Sequence, residues 1–140
     1  MKLILTAILA ALLFLGCSEK KIPDKDQEKA LFDEVIKVHD EVMGADEHLV
    51  KNKMLLDSLV KVAKPTGSTD SAKLYSTQLM MADSAMSIWM HKFDAENTGK
   101  SHEQIMTYLD SQKKEISKVK TQIISAIGAS DKYLNKIKTK

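Results

Sequence analysis

Between residues 26 and 63, apolar or small side chains return in alternating steps of four and three: Leu31, Val35, Val38, Val42, Ala45, Leu49, Asn52, Leu56, Leu59 and Ala63. This is the a/d seam of one long amphipathic helix, with Asn52 as its polar member. Phe32, Ile36, His39, Met43, Val50 and Met54 form a second stripe on its flank. Two stripes predict a helix that touches two neighbours. Gly44 lies in the middle and costs about 1 kcal/mol relative to alanine, so a bend or a close helix approach is expected there. Lys64-Pro65-Thr66-Gly67-Ser68 carries the proline and glycine that end the pattern.

A second helix is expected after Ser68, Thr69 or Asp70, each able to cap it, and should run to about Phe93. Its seam is Ala72, Tyr75, Leu79, Ala82, Met86, Trp89 and Phe93. Asp94 to Lys100, with Asn97 and Gly99, reads as a turn. Ser101 and Gln104 then have the spacing of a capping box. The third seam follows through Ile105, Leu109, Gln112, Ile116, Val119, Ile123, Ala126 or Ile127, Ser130, Leu134 and Ile137. No stretch alternates as a strand would. Short connections make consecutive helices antiparallel neighbours, so the expectation is an all-α, elongated, up-down-up three-helix bundle over residues 26–140.

The start of the chain changes the picture. Met1-Lys2 precedes an apolar run from Leu3 to Gly16, interrupted only by Thr6, and the run meets the single cysteine, Cys17. A run of roughly 14 residues suits a signal peptide and falls short of the ~20 a membrane span needs. Small Gly16 before Cys17 suits a lipoprotein signal peptidase. The expected organisation is a signal peptide over 1–16, a lipidated tether over 17–25 beginning at Cys17, and the bundle behind it. Ser18, where an aspartate would favour the inner membrane, points to the outer membrane of a bacterial envelope. The membrane is then a partner through the lipid anchor, and no disulfide supports the fold.

Composition removes several function classes. All 21 basic residues are lysine. The bidentate guanidinium devices that recognise phosphate and guanine are therefore missing, and with few aromatics and a net charge of +2 the chain is not expected to bind nucleic acid. Asp24 to Asp57 holds ten acidic residues against five lysines, whereas Ser111 to Lys140 holds eight lysines against two acids. The first and third helices should attract each other.

Candidate chemistry is sparse. Asp94-Ala95-Glu96-Asn97-Thr98-Gly99 opens like a calcium loop, but Ile105 stands where a bidentate glutamate is required. No glycine loop cradles phosphate and no nucleophile has a motif around it, so catalysis and a cofactor are not expected. Folding the helices back about their turns gathers His39, Met43, Met86 and Met90, with Met106, His91 and His102, near one end of the bundle. Thioether and imidazole ligands suit Cu(I), which makes His39, Met43, Met86 and Met90 a candidate soft-metal set. Core methionines with surface histidines are the plainer reading, and His39 has Asp94 or Glu96 within expected reach. Met80, Met81, Ile88 and Leu74 lie off the second helix's seam and form a candidate face for a protein partner or self-association.

The stretches HDEVM (His39 to Met43) and MSIWMHKF (Met86 to Phe93), behind a lipoprotein signal, resemble a family of small Bacteroidota lipoproteins often labelled "viral A-type inclusion protein". The resemblance covers most of residues 26–137 and is specific in those two stretches. A proline and a further methionine tend to follow the first motif in that family; here Gly44 and Asp46 stand instead. The resemblance implies an envelope location and a helical fold rather than an activity. The expectation for function is a non-enzymatic envelope lipoprotein acting as a structural or interaction module, with periplasmic-side copper binding as the alternative.

Overall fold

The computed structural model describes residues 23–62 and 67–139, and these form an all-helical bundle. Its elements are α1 (Asp24–Met43), α2 (Asp46–Val62), α3 (Gly67–Lys92) and α4 (His102–Lys138). The expected signal peptide and Cys17 lie outside the described residues. So does most of the turn expected at Lys64 to Ser68. Asp24 and Lys25, expected in the tether, are already helical.

The long first helix is two helices. Gly44 N–H still donates to Asp40 O, at 2.9 Å, but Ala45 N–H bonds back three residues, to Val42 O at 2.9 Å, before α2 begins at Asp46. The glycine realises the bend and not the close approach. A Cβ at Gly44 would meet only the carbonyls of Asp40 and Glu41, both at 3.5 Å, with no other helix within 4 Å. The seam keeps its phase across the break, with Val42 and Leu49 buried on either side. Upstream the chain packs on α4; downstream it packs mainly on α3.

The second stripe of this region is covered only in part. Phe32 contacts Phe93, with ring centroids 6.0 Å apart, and His39 contacts Trp89 at 5.9 Å. Met43 at the end of α1 and Val50 and Met54 of α2 remain exposed, while α2 packs on α3 and α4. α3 itself starts at Gly67, earlier than the capping residues suggested, and Thr69 is buried within its first turn.

Ser101 caps α4 as its spacing required: Gln104 N–H donates to the Ser101 hydroxyl at 3.3 Å, and Ser101 N–H donates to the Gln104 side chain at 2.9 Å. Before it, Asn97 and Gly99 take left-handed φ angles of 53° and 77°. The Asp94 carboxylate holds this turn, accepting from Glu96 and Asn97 N–H at 3.1 Å each and pairing with Lys100. Tyr108 closes it from α4, its hydroxyl accepting from Asp94 N–H at 2.7 Å.

The core is a file of seam residues: Val35, Leu49, Leu56, Leu79, Leu109 and Ile116 are among its least accessible members. Acidic α1 meets basic α4 through Glu34–Lys113 and Glu41–Lys120, each 2.5 Å, and Glu28 accepts from His102 Nδ1 at 2.8 Å. Asp57 of α2 accepts from buried Ser76 of α3 at 2.5 Å. Tyr75 of α3 and Tyr133 of α4 pack with centroids 5.1 Å apart.

Candidate interaction face

α3 turns one side to the core through Ala72, Leu79, Ala82, Met86 and Trp89. The small residues in that set let α2 and α4 approach it closely. The side it turns to solvent is also apolar: Leu74, Met81 and Ile88 are 55%, 57% and 55% exposed. Seven residues make nearly two full turns, so these three side chains form a line along the helix. Asp70 in the first turn and Lys92 in the last lie on the same line, and both are exposed.

Met80, expected on this face, is exposed but lies about 100° round the helix from Met81. It follows Ser76 by four residues, on the flank where Ser76 reaches Asp57 of α2. Met81 faces the other way, and with Gln78 it lines a shallow groove against Gln122, Ser125, Ala126 and Ala129 of α4, about 410 Å³ in volume. The sequence offered Asp70 only as a candidate cap, and did not single out Lys92 or the small α4 residues Ser125 and Ala129. The groove follows from how α3 and α4 meet.

The candidate metal set is divided between interior and surface. Met86 is buried, whereas Met43 and Met90 are 42% and 40% exposed. His39 Nδ1 donates to Asp40 Oδ1 at 2.9 Å, replacing the expected pairing with Asp94 or Glu96, and its ring lies beside Trp89. Asp94 is instead held in its own turn by Lys100 and backbone N–H groups. His91 Nδ1 donates to Ser87 O at 2.7 Å, and His102 is engaged with Glu28. Among the described residues no three His, Cys, Asp or Glu side chains converge as metal ligands, and no helix is long and apolar enough to cross a membrane.

The polar centre of the fold lies between α2 and α4. Asn52 donates from Nδ2 to Ser130 Oγ at 2.9 Å and to Asp131 Oδ1 at 2.7 Å, while Ser130 donates to Ile127 O at 2.8 Å. His48 Nε2 donates to the same Asp131 oxygen at 2.9 Å. Burial pushes the Asp131 carboxyl up, but hydrogen bonds from Asn52 and His48, with the charges of His48 and Lys138, outweigh it and hold it below the usual carboxylate range. Lys53 and Ser76 lower Asp57 by hydrogen bonding, Lys100 and Asn97 do the same for Asp94, and Lys120 lowers Glu41. These charges hold helices and a turn together. Comparison with family models, curated proteins and solved structures finds no match.

Proposed function

We propose that this chain is a non-enzymatic lipoprotein of the bacterial cell envelope, anchored in the outer membrane through Cys17, whose helical bundle works as a structural or protein-interaction module. The observation that carries the reading is the uncovered apolar line of α3, Leu74, Met81 and Ile88, which lies apart from the Glu34–Lys113 and Glu41–Lys120 pairs that join α1 to α4. The up-down-up arrangement belongs to the same reading. Pairs between α1 and α4 climb together (Glu28–His102, Glu34–Lys113, Glu41–Lys120), whereas those that α3 and Phe93 just after it make with α4 run in opposite senses (Tyr75–Tyr133, Phe93–Tyr108). The likeness of HDEVM and MSIWMHKF to envelope lipoproteins supports the location.

The anchor is tested with Cys17→Ser in the producing bacterium. The wild-type chain is expected in the membrane fraction and labelled by radioactive palmitate; the variant is expected unlabelled and in the soluble fraction. A variant that remains membrane-bound overturns the anchoring. Cu(I) titration of the full chain tests the module against the soft-metal alternative. Sub-micromolar binding that Met43→Leu/Met90→Leu abolishes would replace the interaction reading.

A further inference from the structure

We infer that the outer face of α3 is a self-complementary surface, and that its partner is a second copy of this chain bound antiparallel across a two-fold axis at Met81. The inference rests on the interaction-module reading and names its partner. Along α3's exposed line the order is Asp70, Leu74, Met81, Ile88, Lys92, in steps of four, seven, seven and four. At 100° per residue all five lie within about 40° of arc. The pattern is therefore symmetric about Met81 in position, hydrophobicity and size, and antisymmetric in charge.

A two-fold axis through Met81 uses each of these properties. It places Leu74 opposite Ile88 of the second copy, Met81 opposite its own counterpart, and Asp70 opposite Lys92 of the second copy, with every pair made twice. The parallel arrangement would set Asp70 against Asp70 and Lys92 against Lys92, so charge selects the antiparallel one. Beside the line, the same operation brings Thr77 next to Ser84 of the second copy on one flank and Gln78 next to Ala85 on the other, all uncharged and mostly small. Two α3 helices can then approach closely with no like charges in contact on the line.

The acid in the first turn and the lysine in the last also complement the dipole of α3. That accounts for charges at the two ends, but any side of the helix would serve. It does not account for both lying on the apolar line at equal distances from Met81. A surface of one helix per copy is small for a permanent dimer, so the pair is reversible and fills as the chain is concentrated on a membrane.

The experiment uses the full-length protein in its native membranes, with single cysteines introduced for oxidative crosslinking. Met81→Cys is expected to form a disulfide-linked homodimer. Leu74→Cys and Ile88→Cys are each expected to remain monomeric alone and to crosslink when expressed together. Asp70→Lys is expected to weaken the Met81→Cys dimer about tenfold, by removing two exposed pairs and creating like-charge contacts, and Asp70→Lys/Lys92→Asp to restore it. All are solvent-exposed positions, and circular dichroism of each variant confirms that the helices persist.

Self-crosslinking of Leu74→Cys and Ile88→Cys individually would replace the antiparallel pair with a parallel one and overturn the inference. A photo-crosslinker at position 81 separates the remaining outcomes. Adducts with a different protein would overturn self-association and leave the module reading standing. Adducts with lipid alone, or none, would overturn both.

Discussion

Asn52 occupies a core position of its helix and is polar for a structural reason. Its amide donates to Ser130 and Asp131 of α4, so two residues distant in the chain fix the register of α2 on α4. A polar residue at an a/d position commonly gives up stability to specify one alignment. Asn52→Ala removes both bonds and leaves buried Ser130 without its donor, which is expected to destabilise the fold by about 1–3 kcal/mol in urea unfolding. The double variant Asn52→Ala/Ser130→Ala should lose less than the sum of the singles, because Ser130 contributes to the pairing through Asn52. Full additivity would show that the two residues are not coupled.

At the scale of the element, Gly44 stands at the break that divides the first half of the chain into α1 and α2. Its φ of −63° and ψ of −19° are open to any residue, and a Cβ there meets only ordinary contacts. Gly44→Ala is therefore expected to stabilise the protein by about 0.5–1 kcal/mol by reducing the freedom of the unfolded chain. Gly99→Ala, at a φ of 77°, should instead cost about 1 kcal/mol, because an L side chain rarely adopts that conformation. The pair of thermal unfolding midpoints should move in opposite directions; movement in the same direction would show that Gly44 is needed at the break.

The three seams were legible in the sequence because burial on a helix follows a local period, and residues as far apart as Val35 and Leu134 are buried as their spacing requires. The capping box at Ser101 was legible for the same reason. The break after Met43 was signalled by Gly44, but a glycine alone does not distinguish a bend from a close helix approach. Partners such as Asp131 for Asn52 and His48 were not legible. They depend on the vertical alignment of helices about eighty residues apart, which periodicity does not determine. The outer line of α3 lies between these cases: its apolar members can be read as residues off the seam, while the separation of Met80 from Met81 requires knowing that α2 covers one flank and α4 the other.

For the whole molecule, the relevant quantity is how charge is distributed over its length. Carboxylates held below their ordinary range occur at several levels of the bundle: Asp94 in the turn before α4, Glu41 near the break, Asp57 between α2 and α3, and Asp131 between α2 and α4. A carboxyl with a depressed folded pKa contributes its stability fully above its unfolded value, about 3.9 for aspartate and 4.3 for glutamate, and loses it as pH falls through the folded value. The thermal midpoint is thus expected to change little from these groups between pH 7 and about 5, and to fall progressively below about pH 4. Protonation would at the same time leave the lysines of α4 facing neutralised α1 acids, adding repulsion where Glu34–Lys113 and Glu41–Lys120 had supplied attraction. Asp131→Asn isolates one contribution. It removes the acceptor charge shared by Asn52 and His48, so the variant should be less stable than wild type at pH 7, and the gap should narrow as both are acidified. Melting curves that coincide at pH 7 and pH 3 for the wild-type chain would show that these pairs contribute nothing to the fold, and that the apolar seams hold the helices together alone.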